Sequence, residues 1–161
     1  MRKYRFFCVC FPLVALTLVS VQAQSQQLTV QTEAGKQTVL SRADLEGMPH
    51  VKVTTSQNPT TFEGVALRDV LIKGGIAFGE SLRGKRMSSC LLVEAADGYS
   101  VVFALPELDP AFTDKQIVLA FLENGKPLDA RGGPYRIVIP DEKRMARWVR
   151  QVTTLKIVDV K

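Results

Sequence analysis

The stretch RGGPYRIVIPDEKRMARWVRQV, residues 131–152, gathers Arg131, Arg136, Lys143, Arg144, Arg147 and Arg150 around a Gly132-Gly133-Pro134 turn, against only two acids, Asp141 and Glu142. The chemistry such a set offers is anion binding. A guanidinium is planar and grips a phosphate or carboxylate through two parallel hydrogen bonds, and paired glycines let the backbone approach a ligand closely. The same residues also suit an ordinary surface. Gly-Gly-Pro breaks a chain into a loop wherever it stands, and Lys143, Arg144 and Arg147 follow two acids whose charges offset theirs on a solvated loop. Trp148 reads as core packing between apolar neighbours.

Other chemistry-bearing residues are sparse. Cys90 precedes Leu91-Leu92-Val93 in a strand-like run, so it is expected to be buried and chemically quiet, a small hydrophobe rather than a metal ligand. His50, the only histidine, adjoins Pro49 in an expected loop and lacks a partner at metal-ligand spacing, which excludes a histidine-dependent triad and a structural zinc site. Glu107, Asp109 and Asp114 do not match the spacing of a calcium loop and read as surface carboxylates beside a helical turn. No metal ligand and no catalytic residue is assigned.

The ends of the chain set the context for these groups. Arg2, Lys3 and Arg5 precede an apolar stretch, Phe6–Val19, and then Ser20-Val21-Gln22-Ala23, the pattern of a secretory signal peptide over residues 1–23. The stretch is too short for a bilayer span, which takes about 20 residues, so an exported protein, periplasmic or secreted and without a membrane anchor after cleavage, is expected. Residues 24–161 then form one domain. The leader carries 3 of the 21 basic residues and none of the 16 acids, which leaves 18 − 16 = +2 on that domain. Nucleic-acid binding rests on a strongly basic surface, and +2 argues against it. Cys8 and Cys10 leave with the leader, so Cys90 has no internal partner and the fold must be held by packing.

The elements that must position the basic stretch follow from local patterns. LTVQTEAGKQTVL alternates about Ala34-Gly35-Lys36 as two short strands. Ser41 caps a one-turn or two-turn helix with Asp44 three residues on, and VKVTT is a strand followed by the loop SQNPTT. VALRDVLIKGG is a helix with Leu67, Val70 and Leu71 on one face, ended by Gly74-Gly75. Asp97-Gly98 and Asn124-Gly125 close tight hairpins, PELDPAFTD is a short helical turn, and YRIVIP and TLKIVDV are strands. With no repeat and no low-complexity tract, the expected fold is a single α+β domain, mostly sheet, with a few short helices.

Four blocks in this order, FEGVALRDVLIKGGI, VEAADGYSVVFALPELDP, VLAFLENGKPLDARGGPYRIVIP and RWVRQVTTLKIV, resemble the oxidoreductase molybdopterin-binding domain, the fold of sulfite oxidase, and in particular its small secreted single-domain relatives. The likeness covers roughly residues 51–160. The resemblance implies molybdopterin as a cofactor, its phosphate held by basic residues and backbone amides. Carried onto this chain, the holders are Arg131, Gly132, Gly133, Arg136, Lys143, Arg144 and Arg147. Arg131 stands where the family has histidine. The family's molybdenum-ligating cysteine falls between the blocks matching VKVTT and FEGVAL, where this chain has SQNPTT. Ser56 is the nearest polar residue there, and a neutral hydroxyl is a poorer ligand than a thiolate. Three readings stay open. One is an exported domain that binds a pterin-type or other anionic ligand, or a redox partner protein, without complete molybdenum chemistry. The others are a molybdopterin-dependent oxidoreductase without cysteine ligation and an interaction module with a vestigial pocket.

Overall fold

The structure, a computed structural model, describes residues 26–56 and 58–160; the expected leader over residues 1–23 lies outside the described residues. Ten strands, β1 (Leu28–Gln31), β2 (Gln37–Leu40), β3 (His50–Thr54), β4 (Thr61–Ala66), β5 (Ser89–Ala95), β6 (Ser100–Ala104), β7 (Val118–Glu123), β8 (Lys126–Pro127), β9 (Arg136–Val138) and β10 (Val152–Asp159), accompany two short helices, α1 (Arg42–Glu46) and α2 (Leu67–Lys73). They form two sheets, one in the order β2-β1-β10-β5-β6 and the other β3-β4-β7-β8 with β9 also paired to β7. This is the expected mixed, mostly β architecture.

Local chemistry explains most of the elements. Ser41 and Asp44 form a reciprocal capping box at α1, with the Ser41 amide donating to Asp44 Oδ2 at 2.8 Å and the Asp44 amide to Ser41 Oγ at 3.2 Å. In α2, Leu67, Val70 and Leu71 are all buried, as their spacing requires. Asn124 and Gly125 take φ of 50° and 75°, the twist that suits a tight hairpin. Their turn is fastened to β4 by the Asn124 amide donating to the Thr61 carbonyl at 2.7 Å and the Thr61 amide donating to Asn124 Oδ1 at 3.1 Å. The Asp97-Gly98 hairpin forms as expected, with positive φ at Gly98 alone, 85°.

Closure of the domain depends on pairings that no local pattern encodes. β1 runs parallel to β10, with Val30 opposite Leu155, while β10 pairs antiparallel with β5, so the last strand fills the centre of the first sheet. Inward-facing Leu28, Val30, Leu91, Phe103 and Leu155 of that sheet join Phe62, Val65, Leu119 and Phe121 of the other in one apolar core. The second sheet bends where the β4–β7 register shifts between Glu63 and Gly64. There the backbones approach so closely that a Cβ on Gly64 would lie 2.1 Å from the Leu119 carbonyl oxygen.

Three expectations are corrected. Cys90 is half-buried rather than buried, because β5 turns Ser89, Leu91, Val93 and Ala95 inward and leaves Cys90 on the outer face; in an unbroken strand an apolar residue on the outward parity stays outside. His50 opens β3 instead of lying in a loop. Its ring bonds Glu63 Oε1 at 3.0 Å and the Glu46 carbonyl at 3.1 Å and meets Phe121 edge-on. Asp109 is not a surface carboxylate: it is 3% exposed and accepts the amides of Gly79 at 2.7 Å and Ala111 at 3.1 Å, clamping two loops together. Burial works to raise its carboxyl pKa, yet these amides and the nearby Arg68 hold it below its ordinary value.

Candidate anion-binding site

β9 begins at Arg136 because the Gly132-Gly133-Pro134 turn delivers the chain to β7, where Arg136 pairs with Ala120. The turn is built around Asp129. Its Oδ1 accepts the amides of Arg131 at 3.1 Å and Gly132 at 2.7 Å, and its carbonyl accepts the amide of Gly133 at 2.8 Å. The two glycine amides therefore stabilise the turn itself. Tyr135, fully buried, donates its hydroxyl to the Gln26 carbonyl at 2.8 Å and fixes the far side of the turn to the start of the first sheet. Burial raises its phenol pKa.

The half-buried Arg136 side chain then enters a pocket of about 460 Å3 that it shares with Asp97, Tyr99, Met145, Ala146, Trp148 and Arg150. Its guanidinium carbon lies 5.4 Å from the Phe62 ring centre and 5.4 Å from that of Trp148, whose rings meet edge to face at 5.9 Å. Two donors there are buried and without a hydrogen-bond partner among the described residues, Arg136 Nε and Trp148 Nε1. Burial pushes the Arg136 guanidinium below its ordinary pKa, Glu123 and Asp129 oppose that, and Arg150 adds to it. The group stays protonated, so the protein holds a partly desolvated cation beside a second one. Tyr99 donates its hydroxyl to the Ala146 carbonyl at 2.7 Å and its amide to Asp97 Oδ1 at 2.9 Å, which ties the β5–β6 turn to the far wall of the pocket.

The remaining residues of the basic stretch go elsewhere. Arg131 is exposed and is not among the residues lining this pocket. Lys143 and Arg144 are exposed and line a separate, shallower hollow of about 480 Å3 with Lys115 and Asp141, which meets the first pocket only at Ala146. Arg147 is fully engaged: its Nη1 bonds Glu107 at 2.6 Å, its Nε bonds Glu142 at 2.8 Å, its Nη2 also bonds Glu142, and its guanidinium covers the Phe103 ring at 4.9 Å. Burial alone would lower its pKa, and the two carboxylates raise it above the ordinary value. So Arg136 alone of the seven expected holders faces the pocket.

The pocket residues absent from the seven expected holders are Trp148, Arg150, Tyr99 and Asp97, of which Arg150 stands out in sequence only as one charge of the basic stretch. Trp148 is indeed buried, 5% exposed, but follows the turn Met145–Arg147 instead of lying in a strand; it lines the pocket, and its buried indole N–H has no partner among the described residues. No local pattern joins Arg136 to Trp148 and Arg150, because β9 ends at Val138 and the turn Met145–Arg147 intervenes. Asp97 and Tyr99 come from a hairpin that sequence alone does not bring near.

Comparison with known proteins decides the family. The sequence profile of the oxidoreductase molybdopterin binding domain matches residues 15–161. This chain belongs to that family. The domain's fold is also similar to a solved structure, the sulfane dehydrogenase SoxCD from Paracoccus pantotrophus, at a TM-score of 0.62 and 21% sequence identity over 83% of this chain. The molybdopterin-binding-domain chain spans 38% of that structure's chain. In all, 24 chains of solved structures match. No curated protein matches the sequence.

The family's cofactor can be tested against the residues present. An anionic, phosphate-bearing end fits, because two arginines line the pocket and the buried Arg136 Nε and Trp148 Nε1 beside it lack partners among the described residues. A thiolate-ligated metal does not fit. The SQNPTT interval holds no cysteine, Cys90 lies on the outer face of the other sheet, and the described residues contain no cluster of three His, Cys, Asp or Glu side chains.

Proposed function

We propose that this domain is an exported binder of a small phosphate-bearing ligand of the pterin type, held in the Arg136 pocket without thiolate-ligated molybdenum chemistry. The observation that carries the reading is the pair of unpartnered buried donors, Arg136 Nε and Trp148 Nε1. Orphaned buried donors cost about 1–3 kcal/mol each and are uncommon in a relaxed fold, so a ligand that draws both side chains slightly toward the pocket and accepts from them recovers what the free protein forgoes. Arg136 and Arg150 would take the phosphate, Trp148 would donate one further hydrogen bond, and Asp97 at the rim suits an N–H group on the ligand's ring. The volume falls within the usual range for small-molecule sites, about 300–1,000 Å3. Export rests on the charged, apolar and small-residue segments of residues 1–23, and the intact mass of the exported protein should correspond to a start at or near Gln24.

The test is calorimetric titration of the mature protein with a pterin phosphate and, separately, with inorganic phosphate. Binding of the pterin phosphate should weaken with added salt and should fall at least about tenfold in both Arg136→Gln and Arg150→Gln, the loss of a charge-assisted hydrogen bond. Absence of binding by either anion would favour the vestigial-pocket reading.

A further inference from the structure

A second cleft, sharing no residue with the Arg136 pocket, lies between α2 and the segment leading into β7. It encloses about 290 Å3 over an apolar floor of Val51, Ala66, Leu108, Pro110, Ile117 and Val118. Its polar groups are Arg68, Asp69, Lys115 and Gln116. Arg68 is the unusual member. Its Nε is buried with no hydrogen-bond partner among the described residues, and its two flanking carboxylates pair with it by charge without hydrogen-bonding, Asp69 at 3.7 Å from Nη1 and Asp109 at 4.0 Å from Nε. Asp109 cannot move closer at no cost, since both its oxygens already accept backbone amides. The Phe78 ring, 5.5 Å from the guanidinium carbon, packs against the guanidinium.

We propose that this cleft binds a monocarboxylate with a compact apolar body. The guanidinium takes the carboxylate end-on through its two terminal nitrogens, the part of the fork that is not buried, the exposed Lys115 adds charge at the rim, and the aliphatic floor takes the apolar body. Asp69 is the one acid lining the cleft; it repels the ligand and competes for Arg68, so it weakens binding.

The probes are benzoate and hexanoate, titrated into the mature protein while backbone amide signals are followed by heteronuclear NMR. Both should move the Ile117 and Val118 signals saturably, whereas benzamide, the neutral isostere, should bind at least about tenfold more weakly. Arg68→Gln should weaken benzoate by a similar factor, Lys115→Gln should weaken it less, and Asp69→Asn should strengthen it. Arg136→Gln should leave it unchanged, which separates this site from the phosphate pocket. Equal binding of benzoate and benzamide would overturn the proposal, as would no saturation up to roughly 10 mM, a concentration above the millimolar affinity expected of so small a ligand. If Arg68→Gln does not fold, the exposed Lys115→Gln and Asp69→Asn variants decide: no change in either direction would also overturn it.

Discussion

Replacing Trp148 by phenylalanine separates a pocket that waits for an acceptor from one that is merely packed. In the free protein the indole is 5% exposed and its N–H has no partner, a penalty of about 1–3 kcal/mol that phenylalanine removes. Against that, the change gives up two buried ring carbons along with the nitrogen, roughly 1.6 kcal/mol at about 0.8 kcal/mol per carbon group. The edge-on contact with Phe62 can persist, since a phenyl ring offers the same faces. The two effects nearly cancel, and the stability of Trp148→Phe should lie within about 1 kcal/mol of wild type. Affinity for a phosphate-bearing ligand should nevertheless fall about tenfold to 100-fold, the loss of one hydrogen bond to a charged acceptor. Urea unfolding and calorimetry on the same samples measure both quantities. A stability loss above about 3 kcal/mol would mark Trp148 as a core plug, and unchanged affinity would remove its N–H from the site.

Other outcomes follow from the same geometry. Gly64→Ala should destabilise the fold by about 1–3 kcal/mol or more, because its Cβ would sit 2.1 Å from the Leu119 carbonyl oxygen; an unchanged denaturation midpoint would contradict the close strand approach. Asp109 has a folded pKa below its unfolded value of 3.8, so its contribution to stability is complete above that pH and is lost as the pH falls through the folded pKa. Stability of the wild-type protein should therefore drop more steeply below about pH 4 than that of Asp109→Asn, and parallel acid limbs would refute this. Cys90, half-buried on the outer sheet face, should react with a thiol reagent in the native protein, and Cys90→Ser should cost under about 0.5 kcal/mol. Labelling only after unfolding would place it on the inner face.

Sequence was informative wherever structure is local. Ser41 with Asp44, Asn124 with Gly125, and the Leu67, Val70 and Leu71 face each act within a few residues, and all appear as expected. The order of blocks carried the family and hence the mixed, mostly β fold, though not its division into two sheets. Strand pairing was hidden, because nothing near Val30 specifies Leu155 as its parallel neighbour. Parity was hidden too. One residue decides whether Cys90 or Leu91 meets the core, and both are apolar enough to do so. In the site, charge density was visible but allegiance was not. Arg147 and Arg136 look alike in sequence, yet one is neutralised by Glu107 and Glu142 while the other is left facing a pocket with unmet donors. Arg68 drew no notice because one arginine in an amphipathic helix is ordinary, and only the positions of Asp69 and Asp109, 3.7 and 4.0 Å away, leave it without a hydrogen bond.

The most direct measurement is the content of protein purified from its own host, with molybdenum, phosphate and pterin each determined per chain. A phosphate-bearing pterin ligand near one per chain, with molybdenum far below that ratio, and loss of the ligand in the Arg136→Gln, Arg150→Gln double variant, is the predicted result. One molybdenum per chain, retained in that double variant, would contradict it and favour an oxidoreductase that holds its metal without the cysteine.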